Sequence, residues 1–343
     1  MQRILVILPN WFGETLFATP FLHALRQQRP DAFIATLGWP ACRHILLHNP
    51  AVDELLDLDE HGLHRGLAGA WRLIHMLRAR RFDTAFILRR SLSRTMLTAA
   101  AGVPRRVGMA NAKSGWLLPP RAPSAVLPRH KAMTYLPLLE AVGLSGTAGP
   151  YEYVVSDEER REARERLRAA SGPRGTGLLI VLHPGANWAH KRWPADRFAE
   201  LGRRLVAEEG ARVVITGGPD DVALAQAVAE GMSCPVTVLA GQTTVRQLGA
   251  VLDAADLLVS NDTGVTHIAA ALHRPLVALY GPTSPALTGP LGDPDRIIVI
   301  HHPEGCPAVP CYSADPLSHS GMAAIPVDEV YDAVRDMLVR RIR

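Results

Sequence analysis

The chain has 343 residues, with 37 Lys and Arg against 33 Asp and Glu and a net charge of +4. Aromatic residues make up only 6%, so the stacking platforms of single-strand nucleic-acid binders are not evident. No apolar run approaches the roughly 18 residues needed to span a bilayer. The charge is unevenly spread: residues 1–150 carry 18 basic and 9 acidic side chains, and the remaining 193 carry 19 and 24. Thirteen of the cations fall between Arg72 and Lys131, where Asp83 is the sole acid. The first half is therefore expected to meet a polyanion. The chain reads as cytoplasmic, with its basic face able to rest on anionic lipid. Cys306 and Cys311 form a C-x4-C pair, but Cys42 and Cys234 lie far away in sequence. Ordinary thiols, with no metal site, are expected.

Arg3–Leu8 is a short apolar run of the kind that forms a buried parallel strand. Beyond the loop Pro9–Gly13, the spacing of Leu16, Phe17, Phe21, Leu22 and Leu25 predicts one helix ending before Pro30. Strands follow at Phe33–Leu37, Val52–Leu58 and Thr84–Leu88, with helices at Trp71–Arg81 and Tyr135–Val142. Gly143–Pro150 reads as a linker, Asp157–Ala170 as a charged helix, and Ser171–Gly177 as a break. A second series then begins. Its strands are Leu178–Leu182, Arg212–Thr216, Val236–Leu239, Leu257–Ser260 and Leu276–Tyr280. Its helices are Ala195–Glu209, Asp221–Gly231, Val245–Ala254 and Val265–Leu272, and Val327–Arg341 closes the chain. The expected fold is α/β: two Rossmann-like, doubly wound parallel-sheet domains facing across a cleft. The domains are placed at 1–170 and 171–326, with 327–343 as a helix packing back toward the first.

Ligands in such sheets sit at the carboxyl ends of the strands, which selects five stretches. In Ser260–His267 a strand runs through a tight turn into a helix. Amides and the positive dipole end there form an anion site. Gly264 admits a phosphate to the backbone, Thr263 and His267 add donors, and Asp262 is the expected N-cap. His183–Pro194 leaves the strand Leu178–Leu182, and its Asn187, Lys191 and Arg192 reach the same rim, where the two cations can neutralise a departing diphosphate. Gly217–Asp221 follows another strand, and Asp220 or Asp221 either accepts from ribose hydroxyls or caps a helix. In the first half, Glu14 is the only acid among the first 30 residues and is placed to act as a general base. Arg89, Arg90, Ser91 and Arg94 follow the strand Thr84–Leu88, and Arg105, Arg106, Lys113, Arg121, Arg129, His130 and Lys131 extend the basic stretch. Arg78, Arg80 and Arg81 are expected to serve a helix end.

Taken together, these motifs resemble the bacterial glycosyltransferases that move heptose from ADP-heptose onto the lipopolysaccharide inner core. The resemblance is most specific in Lys191-Arg-Trp-Pro194 and in Asn261-Asp-Thr-Gly-Val-Thr-His267 with its continuation to Pro285. Asn10-Trp-Phe-Gly-Glu14 looks like the second heptosyltransferase of core assembly more than the first. The resemblance implies a GT-B fold and an inverting, metal-independent transfer without a cofactor. By similarity, Lys191 binds the donor phosphates, with Asp262, Thr263, Gly264 and His267 forming the phosphate pocket. Asn10, Trp11, Arg89, Arg90, Ser91, Arg94, Arg106 and His130 fall to the anionic acceptor, a Kdo- or heptose-bearing lipid A core at the inner-membrane surface. Two departures stand out. The family usually has Asp where this chain has Glu14, and Gly321 stands where relatives often have Cys. The four-Cys iron cluster of adhesin-modifying relatives is also missing. Two other readings share the architecture: a sugar-nucleotide epimerase, and a nucleotide-sugar-binding relative with weakened catalysis. A dehydrogenase is disfavoured, because no G-x-G-x-x-G follows the first strand.

Overall fold

The computed structural model describes residues 1–10, 12–109, 117–118, 121–122, 130–171, 177–306, 309–311 and 320–342. Trp11, Lys113 and Arg129 lie outside the described residues, as does the side chain of Arg121. The chain divides into two compact units, Met1–Val154 and Val155–Arg343.

The first unit holds β1 (Arg3–Ile7), β2 (Phe33–Gly38), β3 (Glu54–Asp57), β4 (Thr84–Ile87), β5 (Arg105–Met109) and β6 (Arg121–Ala122). They pair in the order β3-β2-β1-β4-β5-β6, all parallel. The second unit holds β7 (Leu179–His183), β8 (Arg212–Ile215), β9 (Thr237–Val238), β10 (Leu257–Asn261), β11 (Leu276–Tyr280) and β12 (Ile297–His301). Their order is β12-β11-β10-β7-β8-β9, again all parallel. Counted from its own first strand, each sheet runs 3-2-1-4-5-6, the doubly wound order of dinucleotide-binding folds. Ile4–Ile7, Leu179–Leu182 and Leu276–Tyr280 are buried along their whole length. Strands covered by helices on both faces require such unbroken apolar runs.

Several elements differ from expectation. The first helix is split into Phe12–Phe17 and Thr19–Gln28. Pro20 has no N–H to donate to the carbonyl of Leu16, and the Thr19 hydroxyl donates to it instead at 2.7 Å. Strands β5, β6 and β12 lie outside the expected set. β5 opens on two arginines, and β12 is a half-buried edge strand, so neither carries the full signal of a buried strand. The helix Asp157–Ser171 belongs to the second unit, which corrects the expected boundary at residue 170. It is tied to Val245–Ala254 by Arg246 Nε on Glu159 at 2.8 Å and Arg160 Nε on Asp253 at 2.8 Å. The closing helix, Val327–Ile342, packs on β10, β11, β12 and the helix Ala195–Glu209.

Candidate functional site

In the second unit the chain order reverses between β7 and β10, which lie side by side with His183 opposite Ser260. Such a reversal sends the two following loops to opposite faces and opens a crevice between them. The loop after β7 is fixed from below. Trp193 is completely buried, packs edge-on against Phe198 with centroids 4.9 Å apart, and donates its indole N–H to the Ile325 carbonyl at 3.0 Å. The loop is also fixed from the side. Buried Asn261 accepts from the Trp193 amide at 3.1 Å and donates to the Pro184 carbonyl at 2.8 Å. Because an amide N–H can only donate, the Oδ1 of Asn261 must face it.

With Trp193 anchored, Lys191 is held over the crevice. Its ammonium lies 2.6 Å from Asp262 Oδ2 and 5.3 Å from the ring centroid of Trp188. The Thr283 hydroxyl donates to the same Oδ2 at 2.6 Å. Asp262 is 7% exposed, so its negative charge is met by one ammonium and one hydroxyl in a dry setting. Thr263, not Asp262, caps the helix Gly264–Ala271, its Oγ1 accepting from the Val265 amide at 3.3 Å. The expected cap is therefore one residue early. The physical reason is that Asp262 spends its carboxylate on Lys191 and Thr283. The Thr266 amide is also occupied, donating to the Thr263 carbonyl. The Gly264 amide and the positive end of the helix dipole are left at the amino end of this helix. His267 is buried in its first turn.

Arg192 is steered by its Nε on the Ala186 carbonyl at 3.0 Å and by an ion pair to Asp221 at 3.3 Å. Asp221 also accepts from the Gly218 amide at 3.0 Å, so its carboxylate organises loops on both sides. Gly185 is packed against that carboxylate: a Cβ there would stand 2.3 Å from Asp221 Oδ2. Asp220 and Asn187 are exposed. Behind the loop, His183 is buried and its Nδ1 lies 3.0 Å from the Thr216 hydroxyl. Burial pushes its imidazole down to about 4, with the Asp221 charge opposing, so the ring is neutral at pH 7.

In the first unit the corresponding reversal falls between β1 and β4. Glu14 stands in the first turn of Phe12–Phe17, after β1, with Lys131 Nζ 3.6 Å from its Oε1. Cys42 ties down the preceding loop, its thiol directed at the Pro9 and Asn10 carbonyls at 3.6 and 3.7 Å. Burial raises the Cys42 thiol and the Tyr135 hydroxyl above their usual ranges, and the Glu14 charge adds to both. Arg89 and Arg90 are exposed after β4, and Ser91 caps the helix Leu92–Ala100.

The remaining acceptor candidates hold the fold instead. Arg94 is buried and paired with Glu60, which also accepts from Trp39 Nε1 at 3.0 Å. Arg106 donates to the carbonyls of Leu117 at 3.0 Å and Pro104 at 3.3 Å. His130 caps the turn Lys131–Tyr135 and packs edge-on against Phe17. Arg80, expected at a helix end, grips Glu54 with two donors.

Residues 70–311 match the model of glycosyltransferase family 9 (heptosyltransferase). The chain belongs to that family. It is 30% identical to lipopolysaccharide heptosyltransferase 2 of Escherichia coli K12 over 87% of this chain and 88% of that one. The structure of E. coli ADP-heptose lps heptosyltransferase II matches over 100% of both chains, with a TM-score of 0.81 and 26% identity. A family 9 glycosyltransferase from Veillonella parvula DSM 2008 matches with a TM-score of 0.86 and 26% identity, over 98% of this chain and 97% of that one. Two doubly wound units of the GT-B type are what the resemblance implies. Membership in the family makes this chain a glycosyltransferase, and the epimerase and non-enzymatic readings are not favoured.

For this family 9 member, sequence reasoning missed the supports of the rim: Asn261, Thr283, His183, Thr216 and Gly185. Asn261 and Thr283 lie inside the quoted motifs, but nothing in their spacing says which loop each one holds.

Proposed function

We propose that this chain transfers L-glycero-D-manno-heptose from ADP-heptose to the inner core of lipopolysaccharide, with inversion at the anomeric carbon. An acceptor hydroxyl attacks that carbon, the bond to the β-phosphate oxygen breaks, ADP leaves, and Glu14 takes the hydroxyl proton. Lys191 and the amino end of Gly264–Ala271 meet the charge gathering on ADP, where fixed donors stabilise a transition state most effectively. The observation that carries this reading is the Lys191–Asp262–Thr283 cluster at the β7/β10 reversal, in a chain 30% identical to a lipopolysaccharide heptosyltransferase. Arg89 and Arg90, exposed after β4, receive acceptor phosphates and carboxylates, and Asn10, Trp11 and Ser91 are assigned to the same acceptor. Arg94, Arg106 and His130 position that rim.

No described helix is long and apolar enough to cross a membrane. Peripheral attachment to an anionic lipid surface is supported by the helix Gly66–Ala79. Leu67 is 92% exposed, and Leu63 and Trp71 are 64% and 59% exposed. Arg65, Arg72 and Arg78 stand exposed around them. An apolar ridge rimmed by cations suits the boundary between headgroups and acyl chains.

The test is incubation with ADP-heptose and a truncated core acceptor, read by mass spectrometry. The reading requires a gain of one heptose and stoichiometric ADP, with no turnover of donor alone. Transfer from a different nucleotide sugar with none from ADP-heptose would replace the donor.

A further inference from the structure

We propose that a second anion site, for a ligand carrying two or more phosphate groups, lies at the opposite end of the second sheet from Lys191. A cavity of about 550 Å³ there is lined by Arg160, Arg164, Arg168, Arg212, Arg274 and Asp253, with Leu167, Leu179 and Ala254 between them. Leu179 opens β7, Arg212 opens β8, and Arg274 precedes β11. The cavity therefore sits at the amino ends of the strands. A five-residue strand spans roughly 16 Å, which separates it from the rim that carries Lys191 and Asp262.

The charges do not cancel internally. Asp253 spends both oxygens, accepting from Arg160 Nε at 2.8 Å and Arg274 Nη2 at 2.9 Å. At the margin, Asp157 pairs with Arg160 at 3.1 Å, and Asp256 accepts from the Leu179 amide at 2.7 Å. Even with both margin acids included, five cations face three anions. The carbonyl end of Val245–Ala254 adds only about half a negative charge. Arg160, Arg164 and Arg168 recur every fourth residue on Asp157–Ser171, so they share one face. The helical neighbours of Arg164 are Arg160, Arg161, Leu167 and Arg168, none of them acidic. Like charges at that spacing weaken a helix. Among the described residues, the buried Nε of Arg274 has no hydrogen-bond partner.

Among the described residues, no hydrogen bond or ion pair uses the exposed forks of Arg164 and Arg168, whose planar donors match phosphate oxygens. The volume falls within the roughly 300–1,000 Å³ of small-molecule sites, and the excess of guanidinium groups selects a polyanion. The phosphates can belong to a soluble compound or to a lipid headgroup. The inference does not depend on the proposed transfer.

The probes are inorganic pyrophosphate, by calorimetry, and vesicles containing cardiolipin, whose headgroup carries two phosphates, against phosphatidylcholine, by sedimentation. Both are applied to the Lys191→Ala protein, so that the donor rim is silenced. They are then repeated after adding Arg164→Gln and Arg168→Gln, two exposed positions whose change leaves the core intact. The added pair is expected to weaken binding at least roughly tenfold. Loss confined to pyrophosphate assigns a soluble ligand, and loss confined to anionic vesicles assigns a lipid headgroup. If the added substitutions change neither, or if neither probe binds the Lys191→Ala protein, the site does not exist. Donor turnover measured with Arg164→Gln and Arg168→Gln alone should stay at the wild-type rate.

Discussion

Lys191 and Asp262, 71 positions apart in sequence, meet at 2.6 Å across the strand reversal of the second sheet. The pair sets the ammonium in place before any ligand arrives, because Asp262 is itself held by the Thr283 hydroxyl. A preset cation needs little reorganisation when charge develops on a leaving group.

Replacing Lys191 with Met keeps the stem and removes the charge. Turnover at saturating donor should fall by about 10²–10³, while circular dichroism stays unchanged. Asp262→Asn should cost less, about tenfold, because the ammonium remains but loses its fixed direction. Steady-state kinetics on both variants separate the two roles; equal losses would make Asp262 more than a support.

Gly185→Ala tests the loop packing. The new methyl would stand 2.3 Å from Asp221 Oδ2, so either the backbone or the Asp221–Arg192 pair must move. Overpacking of this kind costs about 1–3 kcal/mol. Urea titration should show that loss, and calorimetry with ADP should show weakened binding. A variant with wild-type values in both would mean that the Asp221 pair does not shape the site.

His183 gives a stability slope with pH. Its folded pKa is about 4, against an ordinary value of 6.5. Between those values the unfolded chain binds a proton that the folded chain refuses, so stability falls as pH drops through that window. By pH 5 the loss is about 2 kcal/mol. Urea midpoints for the wild type and His183→Asn at pH 7.5 and 5.0 check it. The wild type should lose more than the variant, and parallel losses would contradict the assignment.

Leu67→Glu with Trp71→Glu should leave thermal stability within about 0.5 kcal/mol, since both side chains are exposed. Flotation with anionic vesicles should drop severalfold. Retention at the wild-type level would place membrane contact elsewhere.

Much of the fold is legible in the sequence because parallel strands buried on both faces leave unbroken apolar runs, as in Leu179–Leu182 and Leu276–Tyr280. What escapes is set by tertiary context. Arg94 and Arg106 look identical in sequence to Arg89 and Arg90, yet Glu60 and backbone carbonyls claim the first two. Charge counts locate a basic half without saying which cations the fold has already used. The arginine stack on Asp157–Ser171 is the reverse case, a local excess inside a half that is acidic on balance.

The most direct measurement is single-turnover transfer by Glu14→Gln at saturating ADP-heptose, followed by product mass. The amide keeps the shape of the side chain and cannot take a proton, so the rate should fall by about 10²–10⁴, with donor affinity close to wild type. Product formed within a few-fold of the wild-type rate would show that the proton leaves by another route, and the division of labour between Glu14 and Lys191 would not stand.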